Sequence, residues 1–342
     1  PYVWLGAEVG ASALTLTGTY TPCSDNVYRI GGNGGSNGES RGLIVKGMTD
    51  APGGVPRRIH FKNGVNSLVG AAPQCTGDLI IDAGSHVAVG KDADFGTVTN
   101  IILRGGGRIL FKNANLTYGA NRSFTIDGSG SFHSCGATGS VKTRWNGPIK
   151  GSGTLSLTDQ GGCVFASPSN TFTGELRNVC THQQYDIPLE FGDGANFSWA
   201  GSKITQLNYT NNLIVINCDA DVVFNTEISA EGGRLIKRGH GTATLGRAFP
   251  RKQLRTDIPV LVVEQGTLRR SAVETTGAVD WTRVWSGADE AELKMFDIAE
   301  DAVFGGVVTL TVNAVPKNPA PLVQGAGELP AVPITTIVAP KG

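Results

Sequence analysis

The sequence predicts an all-β protein, a β-solenoid, and three observations carry that prediction. Glycine supplies 48 of the 342 residues, about twice its usual share of roughly 7%. Short runs of β-forming residues stand between clusters of glycine, asparagine and aspartate, which is the signature of many brief strands joined by tight turns. Helical periodicity is nearly absent. The one segment that suggests a helix is Gly287 to Asp301, where Asp289, Glu290 and Glu292 precede Leu293, Phe296 and Ile298.

The strand runs follow one another along the chain. Ser12 to Thr17 is the first, and Asp78 to Asp82, His86 to Val89 and Thr97 to Leu103 come at short intervals. Ser123 to Asp127, Gly153 to Thr158, Leu213 to Asn217, Asp221 to Asn225 and Pro259 to Glu264 continue the series. So many short strands require an architecture that limits exposed edges, which leaves barrels, propellers and solenoids. A propeller repeats an aromatic signature in each blade, and five tryptophans without such a period do not supply one. A solenoid needs only inward Leu, Ile and Val in each coil, stacked on the coils above and below, with glycine at the corners.

An internal similarity supports the solenoid. Ile149-Lys-Gly-Ser-Gly-Thr-Leu-Ser-Leu157 matches Leu235-Ile-Lys-Arg-Gly-His-Gly-Thr-Ala-Thr-Leu245 in its basic residue, glycine turn and Thr/Leu alternation. The first is followed by Ser167-Pro-Ser-Asn-Thr-Phe-Thr-Gly-Glu-Leu176, the second by Val260 to Glu264 and Gln265-Gly-Thr-Leu268. These segments, with Asn115 to Gly130 before them, resemble the autotransporter-associated (passenger-associated) β-strand repeat over about 150 residues. The first copy is one residue short in its turn and lacks the closing Gly-Thr-Leu. The second has Ala243 where leucine is usual and lacks the Asn-Thr-Tyr-Thr-Gly turn. The resemblance implies a right-handed parallel β-helix that is exported and works at or beyond the cell surface. No C-terminal membrane barrel of that family stands in this sequence.

Three regions are expected. Residues 1–40 hold a first strand and the glycine-rich loop Gly31 to Gly38, as a cap or subunit contact. Residues 41–312 form the solenoid, a rod of about 50 to 60 Å at one strand spacing per coil. Residues 313–342 form a proline-spaced tail, in which Ile334, Thr335, Thr336, Ile337 and Val338 make a β-former between prolines. That segment, or the first strand, is expected to add to a neighbouring subunit's sheet, and head-to-tail contacts of this kind build filaments.

Charge narrows the partners. Lys and Arg number 29, Asp and Glu 29, so no basic surface of the size nucleic acid requires is present, and no polybasic segment favours anionic lipid. No apolar run is long enough to span a membrane as a helix. The chain begins at Pro1 and is expected to be extracellular or at the cell surface after signal-peptide removal. Cys23, Cys75, Cys135, Cys163, Cys180 and Cys218 are even in number, widely spaced and without metal-ligand spacing. They are disulfide candidates of undetermined pairing. Asn-x-Ser/Thr triplets stand at Asn115, Asn121, Asn196 and Asn208.

Catalytic signals are sparse. Gly31 to Gly38 lacks the Lys-Ser/Thr of a phosphate loop, and the five histidines are scattered. No cofactor or metal is expected. Gly239-His-Gly241 stands without the carboxylate motifs of β-helix hydrolases and reads as a turn. Asp219 and Asp221, with one residue between them, would share a strand face, with Lys237 about one coil later. These three define the alternative, a carbohydrate-active lyase or hydrolase. The preferred reading is a structural protein without catalysis, adhesin-like or filament-forming. Its partners are copies of itself, with surface polysaccharide as a second class.

Overall fold

The computed structural model describes residues 3–7, 14–22, 24–33, 42–113, 117–119, 121–134, 142–158, 162–179, 187–207, 212–230 and 234–246. It adds the backbone of strands at 261–263, 266–270, 302–305, 307–308 and 337–338. The segment Gly287 to Asp301 and most of the glycine-rich loop lie outside them. The chain is a parallel β-solenoid. Among the described strands only the pairing of Val307–Val308 with Ile337–Val338 and a single Asn33 to Val65 contact are antiparallel. The described helices are two short 3₁₀ turns, Pro52–Gly54 and Asp92–Phe95, and among the described residues no helix is long and apolar enough to cross a membrane.

Each coil visits three faces in turn. The first-face ladder runs from Leu5–Ala7 through Arg58–Phe61, Leu79–Ile81, Asn100–Arg104 and Ser123–Asp127 to Ile149–Gly151. The second-face ladder runs from Leu14–Leu16 through Ser85–Val89 and Gly107–Phe111 to Glu227–Ala230. The third, a 7-stranded sheet, runs from Thr117–Tyr118 through Lys142–Trp145 and Gly162–Phe165 to Leu261–Val263. Beyond Gly151 the first face loses regular strand for two coils, although Thr171 and Thr173 still donate N–H to the carbonyls of Ile149 and Gly151. A 4-stranded sheet opening with Val222–Phe224 and Thr242–Leu245 then takes its place in the chain order. Leu5–Ala7, Leu14–Leu16 and Val27–Asn33 join the same ladders as the strands beyond residue 41.

Register makes the core. Phe61, Ile81, Leu103 and Ile126 stack as direct partners at intervals of 20, 22 and 23 residues, and all four are buried. Alternation sends one side chain in and the next out, as in the intermediate–buried pattern of Thr154–Thr158. On the third face the inward column reads Tyr118, Trp145, Phe165, Phe191, Ile216 and Lys237. Trp145 lies 4.4 Å from the Phe132 ring and 4.7 Å from that of Phe111. Each such ring removes a large apolar area from water at about 25 cal/mol per Å2, the main stabilising term of a rod whose coils contact only their neighbours.

The register places the similar segments and the cysteines. The similar segments at 149–157 and 235–245 occupy different corners: the first turns from the first face to the second, the other from the third face into the 4-stranded sheet. The extra residue in the second turn accompanies opposite lysine orientations, Lys150 exposed and Lys237 fully buried. The expected cysteine pairing changes. Cys75, Cys163 and Cys218 are buried free thiols; Cys23, Cys135 and Cys180 lie outside the described residues. Cys163 and Cys218 sit on third-face strands two rungs apart, about 9 to 10 Å along the axis and beyond the reach of a disulfide.

Burial pushes the Cys75 and Cys163 thiols up to about 12. A thiol raised in the folded state stabilises fully below its ordinary value of 9.0. Stability is lost as pH climbs from there towards 12, because only the unfolded chain ionises. Alkylation mapped by mass spectrometry should therefore spare Cys75, Cys163 and Cys218 in the native chain at pH 8 and label all three in denaturant. Native labelling at any of them would contradict their burial.

Candidate functional site

The residues of the enzymatic alternative do not converge on a groove. Asp219 and Asp221 follow the strand Asn212–Cys218 and form the corner before Val222–Phe224, so they do not share a strand face. Asp219 Oδ1 accepts the His240 N–H at 3.0 Å and Asp221 Oδ1 accepts the Thr242 N–H at 2.8 Å. Both carboxylates are exposed and hold the glycine turn of the next coil, so Gly239-His-Gly241 is a turn. Lys237 points the other way. Its ammonium donates to the carbonyls of Gly239, at 2.6 Å, Arg238 and Cys218, and it stands in the inward column between Ile216 and the Val263 rung. Burial pushes that ammonium down and the Cys218 thiol up. A lysine tied to backbone inside the rod plugs a corner and is turned away from any exposed ligand.

Of the assembly candidates, Ile337 and Val338 pair with Val307 and Val308 of the same chain; Ile334, Thr335 and Thr336 lie outside the described residues. The first rung is more informative. Leu14–Leu16 pairs with Leu43–Val45 on one side, and Leu16 accepts the Lys46 N–H at 2.9 Å. Alternation then turns the N–H and C=O of Thr15 away from that ladder. Val3 and Leu14, on the same coil, are exposed at 74% and 45%.

The outer side of the first face carries polar chemistry that the strand pattern did not single out. His60, Asp82 and Arg104 stand on successive rungs. Arg104 forks onto Asp82, with Nε to Oδ1 at 2.6 Å and Nη2 to Oδ2 at 3.0 Å, and His60 Nε2 lies 2.5 Å from Asp82 Oδ2. Burial alone would raise the Asp82 carboxyl, but the bonds from Arg104 and His60 outweigh it and hold it low. Burial pushes His60 below its usual value against the pull of Asp82, so the neutral ring donates from Nε2. Trp4 packs edge-on against His60 with centroids 4.9 Å apart. Both Asp82 oxygens are engaged, so the arrangement ties three rungs together.

From the rung of Asn100–Arg104 onward, the same face opens into a depression of about 490 Å3. It is lined by Thr99, Asn100, Asn121, Arg122, Ser123, Thr125, Pro148 and Lys150. Asn100 is the hub: Nδ2 donates to Asp78 at 2.9 Å, and Oδ1 accepts the hydroxyls of Ser123, at 3.0 Å, and Thr125, at 3.2 Å. Arg122 is committed elsewhere, to Asp92 at 3.1 Å and to the carbonyls of Val98 and Gly96. Among the described residues no group of three His, Cys, Asp or Glu side chains is placed to hold a metal ion. Sequence reasoning missed this face because its signal is a column, with Asp78, Asn100 and Ser123 spaced by one coil each, which becomes visible only once the register is known. Comparison of the chain with family models, curated proteins and solved structures found no match.

Proposed function

We propose that the chain is an extracellular structural β-solenoid, an adhesin-like or filament-forming subunit that assembles end to end and performs no catalysis. The observation that carries this reading is the ladder itself. Inward apolar columns continue rung after rung from Tyr28 to Leu245, while the polar side chains of the outer face cross-link neighbouring rungs. Such a rod is a scaffold that keeps outer positions at fixed spacing. The first rung supports end-to-end growth, since the outward backbone of Thr15 and the exposed Val3 and Leu14 offer a strand edge to a second copy.

The test is sedimentation over a range of concentrations. Wild-type chain is expected to sediment faster as concentration rises. Thr15→Pro removes an N–H that faces away from the ladder, so it should leave the fold intact and abolish the concentration dependence. Identical association of the two proteins would contradict assembly through this edge.

A further inference from the structure

We propose that the depression around Asn100 and Lys150 is a binding site for a carboxylated saccharide. This rests on the adhesin-like part of the reading above and names the ligand class. The polar groups are pre-oriented. Ser123 and Thr125 each have one hydroxyl proton, and both protons go to Asn100 Oδ1. The amide oxygen is held in place because the other end of that amide is bonded to Asp78. The hydroxyl oxygens therefore keep their remaining lone pairs as acceptors, an arrangement suited to the O–H groups of a sugar. Thr99 and Asn121 line the rim and are exposed.

Charge decides the rest. Arg122 is neutralised by Asp92 and bonded to two backbone carbonyls, so it contributes a wall and little net field. Lys150 is exposed, sits directly above Thr125 in register and makes no ion pair among the described residues. One unpaired ammonium beside oriented hydroxyl acceptors selects a ligand with a carboxylate next to hydroxyls. Pro148 is the one apolar residue among those that line the depression, which disfavours an aromatic or lipid ligand. A single free cation is too little for nucleic acid. Its lining comes from three successive rungs, those of Asn100, Thr125 and Lys150, so a linear glycan lying on the first face meets successive rungs.

Calorimetric titration of the full chain made in bacteria, so that Asn121 carries no glycan, tests this with three probes: oligogalacturonate, a neutral cello-oligosaccharide and inorganic phosphate. Oligogalacturonate is expected to bind, more weakly as salt is raised, with the neutral oligosaccharide much weaker. Lys150→Gln should weaken binding about tenfold, as loss of a hydrogen bond to a charged group implies. Thr125→Val should also weaken it, and both variants should sediment as wild type does. Equal binding of neutral and acidic oligosaccharides, binding of phosphate alone, or no effect of Lys150→Gln would overturn the proposal while leaving the scaffold reading in place. Shortening of the oligogalacturonate during titration would instead overturn the non-catalytic reading.

Discussion

Gly96→Ala should destabilise the solenoid by about 3 to 5 kcal/mol. Gly96 ends the 3₁₀ turn Asp92–Phe95 with φ 60°. A Cβ there would stand 1.8 Å from the Pro73 carbonyl oxygen, one coil below. The same carbonyl accepts the Thr97 N–H at 2.9 Å, so it cannot retreat without breaking a bond between coils. Gly53→Ala is a control for positive φ without a steric neighbour: its φ is 79° and its ψ 10°, against ψ −129° at Gly96, and nothing lies within 4 Å of its Cβ position. Only the left-handed backbone cost of about 1 to 2 kcal/mol applies there. Denaturant titrations of both variants give the extra loss at Gly96, which joins the contact with Pro73 to the cost of its ψ of −129°. Equal losses would show that the packing of Gly96 on Pro73 does not hold the coils.

Trp145→Ala is expected to cost about 3 to 5 kcal/mol. The indole is 1% exposed and meets four rings, those of Phe111, Tyr118, Phe124 and Phe132, at centroid distances between 4.4 and 5.5 Å. Those rings come from all three faces, so the cavity would open where the faces meet. Near-ultraviolet circular dichroism should lose much of its aromatic signal before the far-ultraviolet β signal falls. Val223→Ala, at a side chain 63% exposed, should change stability by less than about 0.5 kcal/mol. Comparable losses at the two positions would place Trp145 outside the core.

Much of this fold was legible along the chain. The run Ser123 to Asp127 is a strand with the same limits, and Leu79–Ile81, Thr154–Thr158 and Asn212–Cys218 fall within or around predicted runs. Alternating Thr and Leu between glycines is a local signal, and local signals survive without knowledge of the fold. The third face was harder to read. Lys142–Trp145 and Gly162–Phe165 are short and lack clear alternation, and Ile187–Gly194 contains Pro188, so their strand character comes from the neighbouring rungs. The site was less legible still. Asp219 and Asp221 suggest a shared strand face with Lys237 one coil later, but the carboxylates fall in the corner after Asn212–Cys218 and strand alternation places Lys237 in the inward column. Asn100, Thr125 and Lys150 are 25 residues apart from one to the next and meet because a coil has about that length.

Electron microscopy of the purified full-length chain beside Thr15→Pro tests the assembly claim most directly. Filaments are expected from the wild type, with an axial repeat of about 50 to 60 Å set by one rod of strand-spaced rungs, and separate rods from Thr15→Pro. Separate rods from both proteins at every concentration, or rods packed side by side, would contradict it.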